Sequence, residues 1–476
     1  MINMTFEAII GLEIHIEMQT NSKMFSSSPV SYGQEPNTNV SIFDMAFPGS
    51  MPLPNKCAVI NAIRTANALN MDISHTLTFE RKNYFYSDLP KGYQITQKFN
   101  PLGRNGYLDL DTDGVIKRIN IEELHIEEDT CKQIHYVNYS LLDFNRAGVP
   151  LIEIVTKPEI KSGKEAADFV KKIRSIVTFL GVSDGKMEDG SMRCDVNISL
   201  RTNENDFGTK VEIKNLNSIN NIQHAIDYEI YNQSLILERG EKVVQETKRF
   251  DENLKQTVLM RVKNDAVDYK FFTDSNILPF ILTSEFVKEA IETSPELADV
   301  KAKRYLALGV DEKNANKIIQ DANLANYFDK LLINGASPTI AANWLNDEIR
   351  SFINKNNIDI ISFPISPENL AKLLNLIKEN QISNSQAREI FTKLVKSDEE
   401  INKLLGELSF HQVNDEGEIR PIINKILDQN PKAIDDYKNG KDKALGYLVG
   451  LILKATDGKA NPTLSKELLL EEIKRR

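Results

Sequence analysis

The residues most able to do chemistry stand in one short run, Ile10-Gly11-Leu12-Glu13-Ile14-His15-Ile16-Glu17-Met18. Its even positions are all apolar, and its odd positions read Gly11, Glu13, His15 and Glu17. Such period-two alternation predicts a strand with one buried face and one face carrying two carboxylates around an imidazole. Same-face neighbours on a strand lie roughly 7 Å apart, so Glu13 and His15 are spaced to share one hydrated divalent cation. The same pattern describes an ordinary half-exposed amphipathic strand. What pairs beside it decides between the two.

Several later stretches carry matching groups. Ile119 to Ile126 reads as a strand with a phase slip at Glu122-Glu123, which suggests a bulge, and it runs into Glu127-Glu128-Asp129. Adjacent acids of this kind make either a solvated turn or the rest of a cation site. Glu153 interrupts the apolar run Leu151, Ile152, Ile154 and Val155. A carboxylate there must be exposed at an edge, paired, or bound to metal, because an isolated buried charge is expensive. Met192 to Leu200 alternates again, with Cys194 on the apolar face and Arg193, Asp195 and Asn197 on the other. Lys210 to Lys214 returns beyond Phe207-Gly208 as the second arm of a hairpin. Arg81 to Tyr86 and Lys91-Gly92-Tyr93-Gln94 interleave cations with aromatic rings. That texture suits stacking and phosphate pairing with a nucleotide or RNA, and equally an amphipathic strand.

The elements that must hold these groups are also legible. Asn55 caps a helix to Leu69, with Val59, Ala62, Ile63 and Ala66 on one stripe. Ser162 and Glu165 form a capping box for a second helix, which Gly181 stops. From about residue 293 only helices are expected. Ser366-Pro367 opens one with Leu370, Leu373, Leu374 and Ile377 as its stripe, and Ser383 with Gln386 opens the next. The last two are read at Lys441–Ala455 and Pro462–Lys474, the latter capped by Asn461. The expectation is an α+β chain: a β-rich domain over 1–292, an all-α domain over 293–410 and a small helical tail over 411–476.

At 476 residues the chain exceeds one core, and 41% hydrophobic with 26% charged residues is an ordinary globular composition. Cys57, Cys131 and Cys194 form no CxxC pair, which argues against a disulfide framework or a cysteine zinc site and fits a reducing compartment. The densest apolar run, Ala444 to Leu453, is shorter than the ~20 residues that span a bilayer. No Lys or Arg precedes Lys23, which argues against a leader peptide. A net charge of −10 disfavours a general nucleic-acid binder, yet 432–459 holds six Lys against four Asp and reverses the sign locally.

Phosphate-loop, dinucleotide, kinase and nucleophile-elbow patterns are all missing from the sequence. What remains is a strand surface of carboxylates and amides with Lys, Arg and one His. Those groups are hard-cation ligands and phosphate partners, which points to ATP–Mg²⁺ chemistry on a β scaffold.

Long segments resemble a known family. They include Ile10 to His15, Arg81 to Tyr86, Pro90 to Gln94, Leu124 to Asp129, Gly148 to Val155, Lys186 to Leu200, Gly208 to Asn217 and Asp436 to Lys441. From end to end the chain resembles the B subunits of bacterial-type glutamyl/aspartyl-tRNA amidotransferases. The resemblance implies a cradle-shaped β-rich domain followed by helical and tail domains. It implies a carbon–nitrogen ligase that phosphorylates the side-chain carboxylate of Glu-tRNA(Gln), and of Asp-tRNA(Asn), with ATP. Ammonia then displaces phosphate. The family's amidase (glutaminase) partner supplies that ammonia from glutamine, and a small third protein binds the two together as a heterotrimer in a bacterial cytoplasm.

Carried onto this sequence, Glu13, His15, Glu128 and Glu153 become the expected Mg²⁺ ligands. Lys82, Tyr84, Tyr86, Gln94, Asp195, Lys214 and Asn215 would line the ATP and aminoacyl pocket. Lys438, Lys441, Lys443, Lys454 and Lys459 become the tRNA contacts. Replacing Glu13 or Glu128 is expected to spare the fold, as for any solvated polar-face residue. The cysteine pairs that hold zinc in some family members are missing near Phe43 to Phe47, so no zinc is expected. The family's Asp-Tyr-Arg-Tyr-Phe-Pro-Glu-Pro-Asp run stands here as Asp268 to Asn276, without its arginine and prolines. Two other readings fit the residues: a ligase that uses free amine with no partner, and a tRNA-binding scaffold without catalysis.

Overall fold

In the computed structural model the first strand, β1 (Glu7–Glu17), has the alternation its sequence predicts. Ile10, Leu12, Ile14 and Ile16 are buried in the main core, while Glu13 and His15 stay half-buried on the other face. The structure describes residues 6–112, 114–202, 207–262, 268–379, 381–397, 401, 416–438, 443–456, 460 and 462–476. They divide into two compact units, Met1–Leu297 and Ala298–Arg476.

The first unit follows β1 with helix α1 (Lys56–Ala68), capped by the Asn55 side chain as expected. Five strands come next: β2 (Asp72–Ile73), β3 (Thr76–Leu77), β4 (Glu80–Asn83), β5 (Tyr93–Thr96) and β6 (Gly103–Thr112). Then come β7 (Val115–Glu128), β8 (Lys132–His135), β9 (Ser140–Asp143) and β10 (Pro150–Thr156). Helix α2 (Gly163–Phe179) is capped by Ser162 and ends at Gly181, whose φ of 67° suits a residue with no Cβ. β11 (Met192–Arg201), β12 (Val211–Leu216) and α3 (Ile219–Glu238) lead to β13 (Glu246–Asp251) and β14 (Gln256–Val262). β15 (Phe272–Thr273), β16 (Phe280–Ile281) and α4 (Ser284–Glu292) complete the unit.

Nine strands form one sheet in the order β14-β13-β12-β11-β1-β10-β7-β6-β2, which puts β1 at its centre. Burial of the isoleucine-rich face against α1, α2 and α3 fixes the register, because a one-residue slip would turn every carboxylate inward. Two irregularities adjust that register. Val155 pairs with Glu123 and Thr156 with Ile121, so Glu122 is the extra residue of a bulge at the phase slip read from the sequence. On β12 the pairing shifts between Cys194 and Val196, and Asn215 there takes a left-handed φ of 61°.

A small sheet, β15-β4-β5, abuts the end of β7. Despite its lost arginine and prolines, the run from Asp268 is docked there. Asn83 Nδ2 donates to the Lys270 carbonyl at 2.7 Å, and Arg81 Nε pairs with the buried Asp274 at 2.7 Å.

The second unit is helical throughout its described residues. Of the first expected stripe, Leu370, Leu373 and Leu374 are buried and Ile377 is half-buried, and the next helix buries Ala387, Ile390, Phe391 and Leu394. Residues 416–475 hold helices Glu416–Gln429, Pro431–Lys438, Lys443–Ala455 and Pro462–Arg475. These share a separate apolar cluster that includes Ile423, Leu448, Ile452, Leu468 and Ile473. No helix among the described residues is long and apolar enough to cross a membrane.

Candidate active site

At the centre of the sheet three side chains stand in one row across three strands. His15 on β1 lies directly opposite Glu153 on β10, and Glu153 lies directly opposite His125 on β7. His15 Nε2 is 3.4 Å from Glu153 and 3.6 Å from Glu127, while His125 Nε2 is 2.9 Å from Glu153 and 3.8 Å from Glu127. Donor atoms of His15, Glu127 and Glu153 all lie within 4.8 Å of one another. Two carboxylates and an imidazole at that spacing fit a single divalent cation.

The charges in the row support one another. Burial opposes a charged imidazole, but Glu153 and Glu127 outweigh it and push His15 up to about 9 and His125 up to about 10. Burial likewise opposes ionisation of Glu153, yet the two imidazoles hold it well below the usual carboxylate range. Glu13, one step along β1, is raised by burial and by the charge of Glu153, although Asn197 donates to it at 2.8 Å.

Cations border this acidic row. Arg193 on β11 is opposite His15 and donates to Asp129 at 2.7 Å. Asp195 is opposite Glu13 and receives Lys214 Nζ at 2.7 Å, with Glu212 at 3.2 Å from the same ammonium. Burial works against the Lys214 charge, but Asp195 and Glu212 overcome it and raise its pKa.

The sequence-derived set is thus divided. Glu13, His15, Glu153, Asp195 and Lys214 lie on one face of neighbouring strands. Glu128 is not brought to the row. Its carboxylate accepts from Lys91 Nζ at 2.7 Å and from the Ile95 N–H at 3.0 Å, and Gln94 Nε2 donates to its carbonyl. The bulge at Glu122 is the physical reason. Beyond it Leu124 and Ile126 are core residues, so His125 and Glu127 turn to the face that carries Glu13 and His15, and Glu128 away from it. Parity counted onward from the slip puts Glu127, and not Glu128, on the face of Glu13 and His15.

The remaining pocket candidates are more scattered. Lys82 Nζ sits 5.0 Å above the Tyr269 ring, and Tyr84 packs edge-on to the same ring. Tyr86 is exposed, and Asn215 is exposed at its bulge. Sequence reasoning passed over His125 and Arg193, whose types and alternation were nonetheless visible. Lys438 and Lys454 are exposed in the tail, Lys443 begins the Lys443–Ala455 helix, and Lys441 and Lys459 fall outside the described residues.

The row of carboxylates and imidazoles is bordered by Lys214 and Arg193 on the open face of the sheet. Comparison identifies the family. The GatB/GatE catalytic domain matches residues 8–288, and the GatB domain matches residues 326–473. The B subunit of an aspartyl/glutamyl-tRNA(Asn/Gln) amidotransferase from Geobacillus thermodenitrificans is 44% identical over 476 residues, covering 99% of this chain and 100% of that protein. Counterparts from Halalkalibacterium halodurans and Staphylococcus aureus are each 43% identical, over 476 and 475 residues, with 99% of this chain and 100% of each relative covered. The chain belongs to the GatB family of amidotransferase B subunits.

Proposed function

We propose that this chain is the component of a tRNA-dependent amidotransferase that activates and amidates the side-chain carboxylate of Glu-tRNA(Gln) and Asp-tRNA(Asn). The observation that carries the reading is the convergence of His15, Glu127 and Glu153 donor atoms within 4.8 Å, on a sheet face bordered by Arg193 and Lys214. A carboxylate does not react with ammonia until one of its oxygens becomes a leaving group. Attack of that oxygen on the γ-phosphorus of ATP releases ADP and makes an acyl phosphate. Ammonia then attacks the acyl carbon, and phosphate leaves as the amide nitrogen loses its proton.

His15, Glu127 and Glu153 would hold Mg²⁺, which supplies neutralisation of phosphate charge. Lys214 and Arg193 place fixed positive charge beside it and orient anionic oxygens. Lys82, Tyr84, Gln94 and Asp195 are the proposed surroundings of ATP and the aminoacyl end, and Tyr86 and Asn215 its exposed edge. Glu128 enters as the buried partner of Lys91 and no longer as a ligand.

Nitrogen comes from elsewhere. Cys131 and Cys194 are buried, with thiols raised by that burial, and neither is set up as a glutaminase nucleophile. Glutamine hydrolysis is assigned to a partner amidase, with a small third protein completing a heterotrimer in the bacterial cytoplasm, and the tail lysines to tRNA. The test is amidation of Glu-tRNA(Gln) with ATP and Mg²⁺, with and without the partner amidase. Ammonium salt should support the reaction by this chain alone, whereas glutamine should require the partner. Failure of ammonium to support it in either preparation would overturn the reading.

A further inference from the structure

His125 is buried, at 8% exposure, and its hydrogen bonding is one-sided. Its Nε2 reaches Glu153 Oε2 at 2.9 Å, the same oxygen that His15 approaches at 3.4 Å. Its Nδ1 is buried and has no hydrogen-bond partner among the described residues. A buried imidazole with one idle nitrogen costs stability that an apolar side chain on this strand would not, so the fold alone does not account for it.

We propose that His125 is a positioning residue for the cation site, donating its Nε2–H to Glu153 and thereby fixing which carboxylate lone pair faces the ion. The register supports this. His15, Glu153 and His125 are strictly opposite on adjacent strands, so Glu153 has an imidazole on each side. Both imidazoles approach both carboxylates, but the donor atoms that lie within 4.8 Å of one another belong to His15, Glu127 and Glu153, whereas His125 makes the shorter, 2.9 Å contact with Glu153. A hydrogen bond to a ligating carboxylate restrains its rotation about the terminal torsion and holds a lone pair toward the metal. Without it the Glu153 carboxylate is free to swing, and the site must be ordered at the moment of binding.

This inference rests on the cation site proposed above, and the experiment separates the two. Mn²⁺ affinity of the full chain is titrated without ATP or tRNA, by the loss of the free-ion resonance. His125→Ala should weaken Mn²⁺ binding roughly 10- to 100-fold. His125→Gln, whose amide Nε2–H has a similar reach, should recover most of that loss even if both variants unfold at a lower temperature. Electron spin echo of bound Mn²⁺ should show one coordinated imidazole nitrogen, that of His15, unchanged in His125→Gln. Native Mn²⁺ affinity in His125→Ala overturns the proposal, as does a Gln variant no better than Ala or a second coordinated imidazole in the unsubstituted chain. If the unsubstituted chain binds no Mn²⁺ at all, the cation site falls and this role falls with it.

Discussion

Lys91 Nζ lies 2.7 Å from Glu128 Oε2, with the two side chains only 7% and 1% exposed. The pair is therefore a buried structural one. Burial still raises the Glu128 pKa in spite of Lys91, which measures how poorly the surroundings solvate that charge. Lys91 also sits over the Phe43 ring at 4.7 Å.

Removing one partner would leave the other charge buried and unmatched. Lys91→Ala should destabilise the N-terminal unit by about 3–5 kcal/mol, read as a lowered urea midpoint. The double substitution Lys91→Met with Glu128→Gln should recover much of that loss, since no unpaired charge remains. A Lys91→Ala protein as stable as the unsubstituted chain would show the pair to be solvated. The expectation that Glu128 can be replaced without harm to the fold is corrected here: it treated Glu128 as a solvated residue, and it is not.

Glu127 takes the position the sequence reading gave to Glu128. Glu127→Gln keeps the side-chain volume and removes one anionic donor from the converging group. Mn²⁺ binding should weaken by more than roughly tenfold, and ammonium-dependent amidation should fall with it. Glu128→Gln should leave Mn²⁺ affinity within about threefold of native, because its carboxylate faces Lys91. The reverse ranking in the same titration would return Glu128 to the cation site.

The three thiols give a pH-dependent prediction. Cys57 is exposed, whereas burial and the nearby Asp88 carboxylate push the Cys131 thiol from 9.0 up to about 11. An acid whose folded pKa is raised contributes stability that is complete below its unfolded value. That contribution is lost as pH climbs through about 11, because the unfolded chain releases the proton first. Iodoacetamide at neutral pH should therefore label Cys57 and leave Cys131 protonated and slow. Changing all three cysteines to Ser or Ala should leave ammonium-dependent amidation intact. Glutamine hydrolysis by the isolated chain would refute the assignment of that step to a partner.

How much of this could be read from residues alone depends on how local the cause was. β1 was legible because Ile10, Leu12, Ile14 and Ile16 declare their own buried face. Asn55 and Ser162 declared their helix starts through the side chains that cap them. The bulge at Glu122 was legible as a phase slip, but its consequence was not followed through. Once one residue is extra, Glu127 and not Glu128 joins His125 on the face that carries Glu13 and His15. Pairing across strands left no trace in any single stretch. That His125 stands opposite Glu153, and Arg193 opposite His15, follows from the order β11-β1-β10-β7, which brings together residues far apart in sequence.

The tail carries the last prediction. With a net charge of −10, the chain as a whole repels a polyanion, so any contact with tRNA must draw on local positive charge. Among the tail lysines singled out from sequence, Lys438 ends one helix, Lys454 lies in the last turn of another, and both are exposed. Leu448 and Ile452 turn the Lys443–Ala455 helix inward against Leu468, Leu469 and Ile473, and Lys454 on it is exposed. A solubilising face would have the same appearance, and salt dependence tells the two apart. Each phosphate neutralised adds roughly 0.7–0.9 to the slope of log K against log salt, so Lys438→Ala with Lys454→Ala should lower that slope by about one to two. Deleting residues 411–476 should raise KM for the aminoacyl-tRNA strongly and flatten the slope further. ATP hydrolysis at the sheet should be spared, since the row of His15, Glu153 and His125 lies wholly within the first unit. Unchanged tRNA affinity and an unchanged salt slope in the truncated complex would make these lysines a solubilising face and nothing more.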